Sequence, residues 1–399
     1  MTTNWAGNVT FGARRLHRPT SVAQVQEIAA AADRARALGT GHSFNRLADT
    51  SGELISTLAL PSIMDLDGGA VRVSAGVRYG ELSQYLQAHG YALRNLASLP
   101  HISVAGAIST GTHGSGTGNA NLSAAVTALE LVTASGDLLR LDRTDPRFPG
   151  AVVSLGMLGV IVAVTLEVVP TFSVAQQVYE DVPRDAALAA LDKAYSVSLF
   201  TSWTGTDIDQ VWVKATEPFA LDRAPADGPR HPIRTMPATH CTEQGGVPGP
   251  WHERLPHFRL DFTPSSGDEL QSEYFVPRTR LAEALAALDP IRDRIAAILQ
   301  VSEVRTIAAD DLWLSPCYAR DSGAFHFTWR PDAGAVRPVL DLIEERLAPF
   351  DPRPHWGKLY RHAPADRYAR RPDFLALAAQ LDPGGKFRNE TVDQLIVRP

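Results

Sequence analysis

Two glycine-rich, hydroxyl-studded segments constrain this chain more than any other feature. Gly39-Thr40-Gly41-His42-Ser43-Phe44-Asn45 follows directly on an apolar run. It is answered downstream by Ser103-Val104-Ala105-Gly106-Ala107-Ile108-Ser109-Thr110-Gly111-Thr112-His113-Gly114-Ser115-Gly116. Glycine admits positive φ and lets backbone approach a ligand closely. Successive N–H groups in such turns form concavities that hold anions. Two such loops in one chain predict a diphosphate gripped from two sides, with His42 presented among the glycines.

The rest of the composition narrows the class. A chain of 399 residues, 44% hydrophobic and 21% charged, suits a soluble globular protein of two domains. Its net charge of −6 comes without any basic run, which argues against nucleic acid or an anionic membrane as partner. Cys241 and Cys317 lie outside any C-x-x-C spacing and read as two reduced thiols. Residues 1–20 hold no continuous apolar stretch, so no secretory signal is expected and a cytoplasmic location is the default. Phe148–Leu166 is uncharged, but Pro149, Gly150, Gly156 and Gly159 favour a short helix and one buried strand over a membrane span.

Periodicity predicts a helix from a capping box at Ser21–Gln24, then a strand over 35–38 feeding the first glycine loop. Strands follow over 54–60 and 71–74, a helix over 80–90 with Leu82, Tyr85 and Leu86 inward, and a hairpin of 126–133 with 138–141. Another strand is expected over 160–169. The absence of regular βαβ spacing says α+β rather than doubly wound. Beyond Pro170, residues 218–256 read as a long loop, with strands at 210–214, 258–262, 301–307 and 324–329 and helices at 184–195, 279–299 (interrupted at Pro290) and 336–347.

Several chemistries are excluded by spacing. No G-x-G-x-x-G follows a strand, and no G-x-x-x-x-G-K-[ST] or G-x-S-x-G occurs. His252 and His257 are five apart with Pro256 between, so one helical face cannot present both to zinc, and no metal site is expected. The paired glycine loops, with His42 among them, have the shape of a flavin dinucleotide site. Glu303 and Arg305 share one face of a predicted strand, as do His326 and Thr328. Each pair reads either as a solvated surface pair or as a wall facing one hydroxylated ligand. His42 and His113 read either as turn residues bonded to backbone or as ligand contacts, and Ile161 as a core residue or a contact.

These segments carry a family resemblance that spans nearly the whole chain. Besides the two loops it includes Asn4-Trp5-Ala6-Gly7-Asn8, Ala97-Ser98-Leu99-Pro100-His101, Cys241-Thr242-Glu243-Gln244 and the run 247–257. It continues through Glu303-Val304-Arg305-Thr306, His326-Phe327-Thr328-Trp329 and His355-Trp356-Gly357-Lys358. The chain resembles flavoproteins of the vanillyl-alcohol oxidase type and, within them, the alditol oxidases. That resemblance implies an α+β fold: a two-subdomain FAD-binding domain in residues 1–170, an α+β cap in 171–350, and a segment 351–399 that returns to the first domain.

It also implies roles. His42 would be joined covalently to FAD, and residues 39–45 with Ser103, Gly106, Ala107, Ile108 and Ser109 would hold the diphosphate. Ser98, His113, Ile161 and His355 would lie against the cofactor; no cysteine is placed for a second link. Ser98, Glu303, Arg305, Thr328 and Lys358 would line the substrate pocket, with Arg305 and Lys358 catalytic. The implied reaction takes a hydride from the terminal carbinol of an alditol such as xylitol, sorbitol or glycerol, with O2 as acceptor, giving an aldose and hydrogen peroxide. A site built for hydroxyls rejects analogues lacking them by roughly 10⁴–10⁵-fold, because its polar groups would go unpaired. The alternatives are an aldonolactone oxidase or dehydrogenase on the same scaffold and a non-catalytic flavin- or sugar-binding module. Thr40 and Ala107-Ile108-Ser109 depart from the relatives while staying small or hydroxylated, apart from Ile108. Alditol chain length, the choice between oxygen and another acceptor, and oligomeric state are not set by the sequence.

Overall fold

The computed structural model describes residues 2–262, 268–362 and 365–397. Two main sheets face each other across the glycine loops. The first is five-stranded and antiparallel, in the order Met64–Asp67, Ala70–Ser74, Val160–Glu167, Val126–Val132 and Leu138–Asp142. Beside it, Arg15–His17, Glu53–Ser56 and Ala35–Leu38 form a small parallel sheet. The helix Val22–Ala31 packs on this layer through Val25 and Ala29. Its cap departs slightly from the expected box: Ser21 Oγ accepts from the Gln24 N–H, while Gln24 Oε1 reaches back to the N–H of Thr20.

The second sheet has eight strands, in the order Gly249–Pro250, Ser173–Val182, Ile208–Ala215, Ser196–Thr201, Leu299–Ile307, Ser322–Trp329, Leu270–Pro277 and Arg353–Pro354. Its neighbouring pairs are all antiparallel. Strand alternation sends Val197, Leu199, Val211, Val213, Tyr274, Val304, Phe325 and Phe327 to one side, into a core shared with helices Leu281–Ala287 and Ala333–Leu347. The opposite side carries Glu273, Glu303, Arg305, His326 and Thr328, all buried. A sheet face that is both buried and charged must be covered by something polar or by a ligand.

The expected elements are found with several differences, among them the helix over 279–299, which breaks into Leu281–Ala287 and Arg292–Ala296 around Pro290 and yields to a strand at Leu299. The strand at 54–60 stops at Ser56 and gives way to a turn of 3₁₀ helix over Thr57–Ala59. The helix from Arg184 ends at Ala190, because Leu191 and Lys193 close tight turns ahead of strand Ser196–Thr201. No strand forms over 258–262: Phe258 makes one bridge to Cys241, and the N–H groups of Phe258 and Arg259 are spent on the carbonyls of Ser98 and His240. The second glycine segment is not loop throughout, since Val104–Ile108 forms a short helix with Ser103 at its N-cap.

The C-terminal residues pack against the first layer. Lys386 Nζ donates to the carbonyls of Ala29, Ala30 and Ala134, its own carbonyl accepts from the Ala35 N–H, and Phe387 joins the core under helix Val22–Ala31. No helix among the described residues is long and apolar enough to cross a membrane.

Candidate active site

A cavity of about 480 Å³ runs between the two layers. One wall is the glycine loops. Thr40 Oγ1 accepts from the Ser103 N–H at 3.2 Å, and Ser103 Oγ accepts from the Thr40 N–H at 3.4 Å, so the loops latch to each other reciprocally. That approach requires glycine. A Cβ on Gly39 would sit 2.3 Å from Ser103 Oγ, and one on Gly106 would sit 2.8 Å from it.

His42 also lines this wall, its ring stacked on Trp5 with centroids 5.0 Å apart. Its Nδ1 is buried without a hydrogen bond of normal geometry among the described residues. Burial, then the positive neighbours His101 and Arg78, lowers the imidazole to about 4, with the Thr40 backbone acting weakly the other way. His42 is therefore neutral at physiological pH, with a lone pair available for bonding.

The other wall is the charged sheet face. Glu273, His326 and Glu303 stand in register on three neighbouring strands. The segment after Arg353–Pro354 continues along the sheet edge, where the N–H groups of His355 and Leu359 bond the carbonyls of Glu273 and Gln271. This brings Lys358 over Glu273. Lys358 Nζ lies 2.7 Å from Glu273 Oε2 and 2.7 Å from His326 Nδ1, and His326 Nε2 lies 3.0 Å from Thr328 Oγ1. Arg305 donates to Glu273 Oε1 at 2.9 Å and to Ser98 Oγ at 3.2 Å, and its Nε lies 3.4 Å from Glu303 Oε2. His113 Nε2 lies 3.2 Å from Glu273 Oε1, an ion-pair distance but off line for a hydrogen bond, while Nδ1 bonds the Gly114 carbonyl.

These charges set one another's states. Burial alone would raise Glu273, but Lys358, His113 and Arg305 hold it well below the usual carboxylate range. Glu303 behaves alike, its burial overcome chiefly by Arg305 and His257. Burial lowers Lys358, with Glu273 opposing and Arg305 adding to the effect. Burial, reinforced by Lys358, keeps His326 and His355 well below the ordinary imidazole value and hence neutral. Glu273 and Glu303 thus balance Arg305 and Lys358, and the wall offers donors and acceptors without excess charge.

The two walls are joined. Asn45 Nδ2 donates to the carbonyls of Trp356 and Lys358 at 2.7 and 2.8 Å, and the Phe44 N–H bonds the Gly357 carbonyl. The Asn45 side chain thus ties the first glycine loop to the Lys358 segment. On the far side the Gly116 N–H bonds the Thr306 carbonyl at the end of strand Leu299–Ile307.

The structure brings nearly all of the expected residues to the cavity: Gly39 to Asn45, Ser98, Ser103, Gly106, Ala107, Ser109, His113, Ile161, Glu303, Arg305, Thr328, His355 and Lys358. Ile108 is the exception. It lies four residues after Val104 on the short helix, and both turn into the core beneath the wall. Glu273, the hub of the cluster, escaped sequence reasoning, as did the roles of His257 and Lys214 behind Glu303. The available signal was the alternation Gln271, Glu273, Phe275, which parallels the polar alternation at Glu303/Arg305 and His326/Thr328. His257, weighed above only against zinc, instead approaches Glu303 Oε1 at 2.8 Å through Nε2.

Comparison with known proteins agrees with this geometry. A family model described as an FAD binding domain matches residues 13–142, and one described as D-arabinono-1,4-lactone oxidase matches residues 268–395. The chain is 50% identical to an alditol oxidase of Streptomyces sp. (strain IKD472 / FERM P-14339), covering 99% of this chain and 98% of that one. It is 31% identical to an L-gulono-1,4-lactone dehydrogenase of Mycobacterium tuberculosis, over 97% of each. Among solved structures, cholesterol oxidase from B. sterolicum superposes with a TM-score of 0.80 at 16% identity, covering 99% of this chain and 96% of that one, a likeness of fold alone.

The fold is thus that of the vanillyl-alcohol oxidase type flavoproteins, and FAD is the group this cavity takes: the glycine latch leaves no room for side chains, and His42 keeps a free ring nitrogen. Within that class the chain belongs to the alditol oxidase family of FAD-dependent oxidoreductases.

Proposed function

We propose that this protein oxidises the terminal carbinol of an alditol of the xylitol, sorbitol and glycerol class to the aldose. The observation that carries the reading is the charge-balanced sheet wall, whose paired carboxylates and cations suit an uncharged chain of hydroxyls, each both donor and acceptor. We assign residues 1–170 with 351–399 to holding FAD, and 171–350 to covering the substrate. Residues 39–45, Ser103, Gly106, Ala107 and Ser109 hold the cofactor, with His42 as the point of covalent attachment and Ser98, His113, Ile161 and His355 beside it. FAD held there would supply the redox chemistry, as acceptor of a hydride from the carbinol carbon, with dioxygen as the final oxidant and hydrogen peroxide as its product.

The chain's own residues position the hydroxyl and move its proton. Arg305 and Lys358 donate toward the reacting oxygen and stabilise developing alkoxide charge. As an ammonium Lys358 spends two hydrogens on Glu273 and His326 and turns the third to the cavity. When that third proton is lost, which burial favours, the lone pair left in its place accepts the hydroxyl proton and restores the ammonium. Glu303 accepts from a second hydroxyl, and Ser98 and Thr328 exchange hydrogen bonds with others. Two buried unpaired thiols, Cys241 and Cys317, suit a reducing compartment, and we place the protein in the cytoplasm.

Acid-precipitated protein is expected to stay yellow, and His42→Ala to release the colour. Xylitol or sorbitol should bleach the flavin anaerobically, with peroxide appearing when air is admitted. A second reading, aldonolactone oxidation, is favoured by the family model over residues 268–395. A panel of alditols against aldonolactones decides between them, and preferential bleaching by lactones would overturn the alditol reading. A protein that turns over neither would be a binding module only.

A further inference from the structure

We propose that Lys214 and His257 form a tautomer lock that keeps Glu303 a pure hydrogen-bond acceptor toward the substrate. Lys214 would thereby set polyol affinity as a positioning residue from outside the cavity wall. The inference rests on the reading that Glu303 meets the substrate.

Lys214 is 1% exposed on strand Ile208–Ala215, with no carboxylate in ion-pair distance among the described residues. Its Nζ has three neighbours at hydrogen-bond distance: the carbonyls of Leu255 and Pro256, and His257 Nδ1 at 3.0 Å. An ammonium carries three N–H donors and no acceptor. Carbonyls only accept, so two of the three hydrogens are spent on them, and the third meets Nδ1, which must accept as well. An imidazole that accepts at Nδ1 carries its proton on Nε2 when neutral. That proton points to Glu303 Oε1 at 2.8 Å.

The carboxylate is thus confirmed in its role from behind. In the opposite tautomer an Nε2 lone pair would face Glu303, which would then need a proton on Oε1 to meet it, and the oxygen left for the substrate would be a neutral carbonyl, a weaker acceptor than a carboxylate. The hydrogen bond to the polyol would keep its direction and lose its charge assistance at that hydroxyl.

The ring is not free to escape this assignment. Phe200 and Trp212 meet it edge to face with centroids 5.4 and 5.3 Å away, and its backbone bonds Ser98 on one side and Thr242 on the other. Burial, then the charge of Lys214, lowers the imidazole to about 4, which agrees with the neutral form. Burial also lowers Lys214 to about 7, with Glu303 opposing, so the ammonium that this assignment requires prevails below pH 7, the range in which the tautomer is to be read. The same Lys–His pairing recurs at Lys358–His326, but there the lysine opens on the cavity, whereas Lys214 is sealed behind its partner.

Nitrogen NMR of ¹⁵N-histidine-labelled, flavin-loaded enzyme, assigned with a His257→Gln spectrum, tests the lock without a lysine variant. The expected result is an unprotonated Nδ1 and a protonated Nε2 on His257; the reverse tautomer would overturn the proposal. Kinetics test the consequence. Lys214→Met should raise KM for xylitol about tenfold while kcat changes less than threefold, a loss on the scale of one charge-assisted hydrogen bond. In a Glu303→Gln background the same change should alter KM less than twofold. Equal increases in both backgrounds would assign Lys214 to packing and overturn its role. An unaltered KM in Glu303→Gln alone would overturn both the substrate contact and the affinity role, while the NMR result still decides the tautomer.

Discussion

The two walls of the cavity recognise by opposite means. The glycine wall works through backbone and close approach, with Gly39, Gly106, Thr40 and Ser103 packed so tightly that a single Cβ would collide. The sheet wall works through long ionisable side chains, with Glu273 buried under Lys358, Arg305 and His113. Backbone donors hold a constant, rigid group, whereas exchangeable side chains tune a variable one. The contrast teaches where changes should separate cofactor from chemistry.

The largest effect is expected from Lys358→Met, which should cut the rate of anaerobic flavin reduction by about 10³-fold, within the range for a positioned acid–base group, while bound flavin stays at wild-type level. Normal reduction in that variant would remove Lys358 from the chemistry. Glu273→Gln should lower kcat/KM about 10²-fold and cost about 3–5 kcal/mol of stability, because it leaves buried cations without their carboxylate. Stopped-flow reduction and thermal unfolding read the two losses. Gly39→Ala should do the reverse: flavin content falls several-fold in absorbance spectra, while the fraction that does load reduces at a near-normal rate.

The smallest effect is on pH dependence. His257 titrates at about 4 in the fold and at about 6.5 when unfolded, so the unfolded state binds more protons between these values. Its stabilising contribution is complete above pH 6.5 and is lost as pH falls toward 4, on the order of 3 kcal/mol in all. His326 and His355, also lowered, add in the same direction, and the depressed carboxylates Glu273 and Glu303 add below about 4.5. Calorimetry of the flavin-loaded protein should show Tm falling from pH 6.5 downward. A flat profile to pH 4.5 would show that these imidazoles are not held neutral.

The same contrast explains what could be read beforehand. The glycine wall is contiguous in sequence, so residues 39–45 announce themselves, and only the helical turn at Val104–Ile108 hid the inward direction of Ile108. The sheet wall is assembled from residues 273, 303, 305, 326 and 328, which the strand order brings together, and from 98, 113 and 358, which reach it on loops. Glu303, Arg305 and Thr328 were legible through strand alternation supported by family resemblance. Glu273 was not, because a lone carboxylate in a strand ordinarily faces water and the groups that hold it ionised, Lys358, Arg305 and His113, come from three distant segments. Phe258–Phe262 misled for the opposite reason: its alternation is strand-like, yet its N–H groups serve the Ser98 and His240 carbonyls instead of a ladder.

One amide group, on Asn45, reaches from the end of the first glycine loop to the main-chain oxygens on either side of Gly357. It acts as a gauge block, because the distance between the first glycine loop and the Lys358 segment is fixed by that one amide. Replacement of polar groups on the sheet can therefore redirect which polyol is chosen without resetting that span.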